Sequence, residues 1–367
     1  MKSQIHGTLG IIVSETKHGV VSFSESIFAQ KLCQIAGRQG LIAFAFTPKD
    51  ITEDMSIQGY TFQDGVWQLK MFPLPDLIYD RCFCSGAAQA EKHQKLAMLS
   101  HLRRFRYLSR GLAGKWLVYE KLRQLPAAAS HLPKTYRYHG AKQLQLLLPR
   151  WNGHAFLKPQ HGTHGKLTLH ISQVDPYEPV KLTGRNAKNQ IIQVELPSLQ
   201  EVGPFINTFR KGKPFLIQPY LPLTTHEGEP YDIRVLMQKG AIGRWSMTGI
   251  AARVGQTGSL TSNLHGGGKA MQAEPMLRHE LGSATATTVL HQIRELSYEI
   301  PEFLEGQFGR LAELGLDFGV DKAGNVWILE VNSKPGRSAF ESIGDLKSAK
   351  KAVENPILYA CYLLQGI

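Results

Sequence analysis

The stretch from Leu314 to Asn332 constrains the fold most. It reads as two apolar strands joined by Asp321-Lys-Ala-Gly-Asn325, and its second strand, Trp327-Ile-Leu-Glu-Val-Asn332, carries a carboxylate and an amide in an apolar run. A strand interior is a costly place for such groups unless something satisfies them. Side chains on a strand alternate faces, so Glu330 and Asn332 point one way and Val331 the other. A turn closing on Ala323-Gly324 sets Asp317 opposite Glu330 on the same face, and a one-residue bulge at Gly324 would shift that register. Two carboxylates and an amide then converge. That oxygen set suits a hard cation, and Mg²⁺ is typically held by one or two carboxylates plus substrate phosphates. The plainer alternative, solvent-facing residues on an edge strand, is opposed by the apolar neighbours Ile328, Leu329 and Val331.

A hairpin of this kind must belong to a larger sheet, and the rest of the chain offers several. The 367 residues are too many for one ordinary domain, which points to two or three. The first ~110 residues alternate strand and helix signals, as in an α/β unit. The runs Leu9–Val13, Gly40–Phe46 and Asp76–Arg81 read as strands and Ser26–Ala36 as a helix, with a long helical region expected over roughly 90–124. From about 130 the texture changes to short strands and glycine-rich turns. Strands are expected at 155–159, 215–221, 231–238 and 243–254, and a helix at 284–312.

Three further segments carry site chemistry. In Phe156-Leu-Lys-Pro-Gln-His-Gly-Thr-His-Gly-Lys166 a strand-end lysine, Lys158, precedes a glycine loop containing Gly162, Gly165 and Lys166. Loop N–H groups can approach phosphate oxygens closely, and the lysine adds charge, although an ordinary surface turn fits the segment equally well. His161 and His164 read as solvated loop residues. Gln218-Pro-Tyr-Leu221 can offer a backbone edge to a base; Pro219 supplies only a carbonyl, so an N–H must come from Tyr220 or Leu221. On residues alone a plain connecting turn fits this segment as well. Finally, Asp232 and Arg234 share a strand face, and Arg253 and Thr261-Ser-Asn-Leu-His-Gly-Gly-Gly-Lys269 follow. Arginines, an amide and flexible glycines suit a transferring phosphoryl group; an Asp–Arg surface pair beside a hairpin loop is the alternative.

Composition narrows the partners. Hydrophobic residues make up 43% and charged residues 20% of a chain with formal net charge +12. The basic residues are dispersed, and the densest run, His101-Leu-Arg-Arg-Phe-Arg106, is short, so nucleic-acid binding is a minor option. No apolar run reaches the ~18 residues of a membrane span, and the N-terminus reads as a first strand rather than a signal peptide. Cys33, Cys82, Cys84 and Cys361 lack a metal-ligand spacing and read as structural thiols of a cytoplasmic protein.

Taken in order, these segments resemble the ATP-grasp superfamily and, within it, the YheC/YheD family of endospore coat-associated proteins. The resemblance rests on Pro75–Arg81, Lys115-Trp116, His131–Thr135, Leu157–Pro159 with its glycine loop, Tyr231–Arg234 and Ala252–Val254. It also rests on Asn263 with the triple glycine and on Leu329–Gly336. The second half is similar to RimK-type glutamate ligases. This implies an α/β (α+β) ATP-grasp fold with an N-terminal α/β pre-ATP-grasp domain over 1–112, an ATP-grasp subdomain over 113–215 and a C-terminal subdomain over 216–367. It also implies roles. Lys158, helped by Lys115 and the loop residues Gly162, Gly165 and Lys166, would hold ATP phosphates, and Gln218 to Leu221 would frame adenine. Asp232 would sit near the ribose, and Thr261, Ser262, Asn263, Gly266 and Gly267 at the triphosphate end. Arg234, Arg253 and Asn263 would act on the phosphoryl group, and Asp317, Glu330 and Asn332 would ligate Mg²⁺. A glutamate is common in the family where Pro219 stands, so any contact by that side chain is lost. The implied activity is an ATP- and Mg²⁺-dependent carboxylate–amine ligase acting through an acyl phosphate on a peptide or spore-surface component, with Arg81 offered to a substrate carboxylate. The alternative is a non-catalytic, ATP-binding structural protein of the spore coat.

Overall fold

The computed structural model describes residues 7–16, 21–52, 54, 56–84, 86–102, 105–162, 165–260, 262 and 267–365, and builds three sheets in succession along the chain. The first contains β1 (Gly7–Ile12), β2 (Leu41–Phe46), β3 (Ile57–Gln63), β4 (Val66–Phe72), β5 (Leu77–Asp80) and β6 (Arg106–Ser109) in the order β4-β3-β2-β1-β5-β6. β1 is parallel to β2 and β5, and β5 to β6. Alternation of side chains divides the core. Leu9, Ile11 and Val13 share one cluster with Ala29, Leu32 and Ala36 of α1 (Ser26–Arg38), while Ile12, Phe44 and Phe46 join Leu96 and Leu99 of α2 (Ala87–Leu102) on the other face. The hairpin β3–β4, absent from the sequence expectation, turns on Asp64-Gly65, both at positive φ, which is the conformation a two-residue hairpin favours.

The second sheet is antiparallel, with β7 (Tyr136–Arg137), β8 (His154–Pro159), β9 (Thr168–Ser172), β10 (Val180–Arg185), β11 (Ile191–Leu196) and β12 (Phe215–Pro219) in the order β11-β10-β9-β8-β12-β7. Helices α5 (Ala141–Leu147) and α6 (Leu199–Arg210) cover the face formed by Ala155, Leu157, Leu169, Ile171, Phe215 and Ile217. Lys158 and Gln218 alternate with these residues and therefore lie on the opposite face, toward the third sheet.

The long helix expected over 90–124 is broken. α2 ends at Leu102, β6 adds to the sheet edge beside β5, and helix resumes only as α3 (Lys115–Leu122) and α4 (Pro126–Ala129). Leu108 is fully buried at that edge, so tertiary pairing overrides the local helical preference. α3 and α4 then pack on the third sheet, with Val118, Leu122 and Ala128 in its core.

That third sheet contains β13 (Tyr231–Lys239), β14 (Trp245–Val254), β15 (Lys269–Met271), β16 (Glu313–Val320) and β17 (Val326–Asn332) in the order β15-β14-β13-β16-β17, all antiparallel. The helices around it are α7 (Ala273–Leu281), α8 (Ser283–Phe308), α9 (Ser338–Ser342) and α10 (Leu346–Gln365). Ile233, Val235, Leu316 and Phe318 face Val289, Ile293 and Ile300 of α8. The opposite face is apolar at one end, where Leu236 and Ala251 meet Phe340 and Ala352. α10 continues to the first sheet, where Val353, Ile357 and Ala360 share a core with α1. Among the described residues, no helix is long and apolar enough to cross a membrane.

The hairpin pairs Asp317 with Glu330, but by a different route from a simple two-residue turn. Val320 pairs with Val326 across a five-residue turn in which Gly324 takes φ 82°, and the register shifts between Asp317 and Phe318 so that Leu329 is the extra residue. The bulge has a consequence. Val326 and Ile328 point into the α8 core, and plain alternation would send Glu330 and Asn332 after them. One inserted residue turns both polar side chains to the other face.

Candidate active site

On that other face, four adjacent strands form a ladder of charge. Arg234 lies directly across from Asp317 and Asp232 across from Arg253. Arg234 grips Asp317 with Nε–Oδ1 at 2.5 Å and Nη2–Oδ2 at 3.0 Å. Arg253 holds Asp232 through two bonds of 2.7 Å and reaches Asp317 Oδ2 at 3.1 Å. Ser262 donates to Asp232, and Asn332 Nδ2 donates to Asp317 Oδ2 at 3.3 Å. Burial by itself would push the Asp317 carboxyl up, but Arg234 and Arg253 outweigh it and hold the group below the usual carboxylate range. Arg253 is nearly enclosed, and the Asp232 and Asp317 charges overcome the cost of burying it and keep it firmly protonated. Bidentate pairing fixes both guanidinium planes, so the arginine geometry is set before any ligand arrives.

Beside the ladder, Glu330 meets Lys115 at 3.3 Å from the start of α3. Lys158, from the second sheet, donates from Nζ to the carbonyl of the bulged Leu329 at 3.3 Å. Its ammonium is enclosed; burial, with the repulsion of Lys115 added, pushes it down to about 8 against the pull of Glu330. These three groups line one cleft between the second and third sheets. Its walls are Val118, Tyr119 and Leu122 of α3, Leu132, Pro133 and Thr135, Leu216 and Gln218 of β12, and Ile328 to Val331. Gln218 is buried, and among the described residues its Oε1 has no hydrogen-bond partner. A native protein rarely leaves such an atom unpaired.

Half of the site residues singled out in the sequence therefore meet. Lys115, Lys158, Gln218 and Glu330 line the cleft, and Asp232, Arg234, Arg253, Ser262, Asp317 and Asn332 form the ladder that Glu330 joins. At the hinge, the N–H of Tyr220 donates to the His154 carbonyl at 3.3 Å, and its ring stacks on His170 at 3.8 Å between centroids. Pro219 is the last residue of β12, with Leu221 two residues beyond it. Asp232 is engaged with Arg253 and Ser262 and so orients the arginine. Gly162 and Gly165 both take positive φ, in the loop that leads to Lys166. Gly267 is described, whereas Thr261, Asn263, Gly266 and His164 lie outside the described residues. The apolar cleft walls on α3 were missed, since Val118, Tyr119 and Leu122 look like any core residues in sequence.

A second cluster was also missed. Glu313 is wholly buried at the start of β16 and accepts from Arg81 Nη1 at 2.9 Å, from Gln238 Nε2 at 3.1 Å, and from Arg337 and Tyr79. Burial raises this carboxyl, and Arg337 and Arg81 more than reverse the effect. Arg81, offered by the sequence to a substrate carboxylate, already binds two of the chain's own: Glu313 and, through Nε at 3.0 Å and Nη2 at 2.7 Å, Glu25. The cysteines Cys33, Cys82, Cys84 and Cys361 are free, and burial pushes Cys33 and Cys82 up to about 11, away from nucleophilic behaviour.

A three-sheet chain with facing lysines and a carboxylate-bearing hairpin in the cleft between the last two sheets has the architecture of the ATP-grasp fold. Solved structures with the same arrangement include a ribosomal-peptide-associated ATP-grasp ligase of Chryseobacterium gregarium in complex with ADP and a leader and core peptide. It is 13% identical, has a TM-score of 0.51, and the match covers 98% of this chain and 97% of that one. Another is N5-carboxyaminoimidazole synthetase of Staphylococcus aureus, 11% identical at a TM-score of 0.52 over 98% and 78% of the two chains. This chain belongs to the YheC/D-like ATP-grasp family, whose profile matches residues 104–363. It is 28% identical over 345 residues to the endospore coat-associated protein YheC of Bacillus subtilis, spanning 91% of this chain and 90% of that protein. The related YheD of the same organism is 27% identical over 337 residues, 86% and 69% of the two chains.

Proposed function

We propose that this protein is an ATP- and Mg²⁺-dependent ligase that activates a carboxylate and joins it to an amine. One observation carries the reading: the orphan oxygen of Gln218 and the enclosed Lys158 line the same cleft as Glu330, the neighbour of the Asp317–arginine ladder. The apolar part of the cleft suits a base, whose exocyclic amine would donate to Gln218 Oε1. Lys115 and Lys158 would take the phosphates. Of the hinge N–H groups, that of Leu221 is the one left for the base, since Tyr220 donates to His154.

The donor set fits magnesium. Asp317, Glu330 and Asn332 offer hard oxygen atoms on one face and would hold Mg²⁺ there, where it would neutralise charge on the nucleotide phosphates. Arg234 and Arg253 hold the Asp317 carboxylate in place, and their remaining donors would serve the phosphoryl group. In the reaction, a substrate carboxylate oxygen forms a bond to the γ-phosphorus while the bond to the β–γ bridging oxygen breaks, giving an acyl phosphate and ADP. An amine then attacks the acyl carbon, inorganic phosphate leaves, and the nitrogen loses a proton. Positioning and charge stabilisation supply most of the catalysis in such transfers. The spore-coat association of the relatives favours a peptide or a spore-surface component as substrate.

Phosphate release from MgATP that depends on an added carboxylate and amine tests the reading. Nucleotide binding with no stimulated release from any carboxylate would favour the structural alternative. Two further outcomes are expected. Gln218→Leu weakens ADP binding by roughly tenfold, the cost of one buried hydrogen bond to the base; calorimetry showing equal affinity removes the base assignment. Nucleotide phosphates raise the affinity of Lys158 for its proton, which is about half dissociated near pH 8. Binding of ADP at pH 8 is therefore accompanied by proton uptake, while at pH 6, where the lysine is already charged, it is not. Titration calorimetry in buffers of different ionisation enthalpy reads the difference, and Lys158→Met abolishes it.

A further inference from the structure

The first sheet changes direction between β1 and β5. α1 carries the chain from β1 to β2 on one side, and β5 later pairs on the other side of β1. In open sheets of this kind ligands bind outside the carboxyl ends of the strands at the point where the order reverses. Arg81 directly follows β5 at this point, and Glu25, the residue before α1, meets it from the β1 side.

Glu25 is an unusual occupant. Its backbone takes φ 57° and ψ 29°, a left-handed conformation that non-glycine residues rarely adopt, and its side chain makes no capping bond to the helix it precedes. The side chain turns instead to Arg81, which binds both of its oxygens. The two carboxylates on Arg81 differ in kind. Glu313 has no exposure and several donors, whereas the Glu25 side chain is 27% exposed and, among the described residues, is bonded to Arg81 alone. Phe28 and Phe83 lie 5.5 and 5.7 Å from the guanidinium carbon, and Arg337 and Lys334 lie against the same rings. Among the described residues, Arg81, Lys92, Lys334 and Arg337 pair with three carboxylates here: Glu25, Asp80 and Glu313. Without Glu25 the crevice would be a deep cationic slot with aromatic walls, open to solvent where Glu25 stands.

We propose that the outer edge of Arg81 is the anchoring site for a substrate carboxylate, and that Glu25 is a built-in occupant which that carboxylate displaces. This rests on the ligase reading and deepens it. A carboxylate gripped by both arms of a guanidinium has both oxygens engaged, so it anchors its molecule and is not the group that receives the phosphoryl. The anchored substrate is therefore an amino acid or a dicarboxylic acid, carrying a carboxylate besides its reacting group. Arg81 also donates to the Pro335 carbonyl at 3.4 Å, three residues beyond Asn332, so the anchor adjoins the strand that carries Glu330. Displacing Glu25 frees the strained residue before α1, which couples substrate arrival to relaxation of the β1–α1 connection. With no substrate present, Glu25 keeps the slot closed to stray anions.

Succinate titrated into the full chain is the test, with succinamide as the uncharged control and ADP·Mg²⁺ titrated separately. Glu25→Ala is expected to bind succinate about tenfold more tightly than the wild type, because no internal carboxylate competes. Acetate is expected to raise the melting temperature of the variant and not that of the wild type. Equal succinate affinity in both proteins would overturn the proposal, as would a destabilised variant that responds to neither acid; Glu25 is then a structural tie. Should the alanine variant fail to fold, Glu25→Gln keeps the volume, removes the charge and is read by the same criteria. ADP·Mg²⁺ binding without a gain in succinate affinity rejects the anchor and leaves the nucleotide reading intact. A gain without ADP·Mg²⁺ binding does the reverse.

Discussion

Glu330→Gln is expected to lower phosphate release from MgATP by about 10³-fold or more, the scale on which losing a charge-stabilising ligand at a phosphoryl-transfer centre acts. The amide keeps the shape and one acceptor oxygen of the side chain but loses the negative charge a hard cation requires. The cost to the fold is small for a structural reason. Glu330 sits at the lip of the cleft with its side chain 29% exposed, and its charge partner is Lys115 at 3.3 Å. A partly solvated pair of that kind contributes about 0–1 kcal/mol, so the melting temperature moves by only about 3 °C or less. Thermal unfolding and turnover measured on the same preparation separate the two effects. Full turnover in the variant would remove Glu330 from the metal site. A collapse of stability would mean that its role is structural.

The second large effect belongs to Glu313, and it falls on stability. Glu313→Gln leaves Arg81 and Arg337 buried with one carboxylate fewer between them, and breaking a buried pair in this way costs about 3–5 kcal/mol. The damage extends beyond the third sheet. Arg81 and Tyr79 come from the first sheet and Arg337 from the loop after β17, so this one carboxylate ties the N-terminal unit to the segment that follows the candidate metal ligands. Thermal and urea unfolding of the variant should show a large loss, and nucleotide binding should weaken only as far as folding does. A variant as stable as the wild type would show that the cluster tolerates an uncompensated arginine.

The ladder and the cluster were not equally legible in sequence. Alternation along a strand is a local property, so the sequence could place Asp232 with Arg234 and Glu330 with Asn332 without knowing the fold. The hairpin could be paired for the same reason, because its two strands are close along the chain. The means of that pairing were hidden. The five-residue turn and the bulge at Leu329 offset one another, and only the packing of Val326 and Ile328 against α8 reveals that the bulge is needed. The sequence of β6 looks helical because the strand it pairs with, β5, lies beyond a helix of intervening sequence.

Glu313 gave no signal, since a lone carboxylate before an apolar strand resembles any solvated strand end. Its partners Tyr79 and Arg81 lie more than 200 residues away. The cleft walls on α3 were equally silent, because apolar residues that line a ligand pocket and those that fill a core have the same composition. What the sequence determined alone was the order of most sheet-forming units, which polar residues share a face of their strand and the kinds of group brought to the site. The tertiary structure decided which charges neutralise one another, that Gln218 Oε1 is buried without a partner among the described residues, and that Arg81 is already occupied. Those outcomes depend on burial and on contacts between distant segments, and neither is encoded in the periodicity of any one stretch.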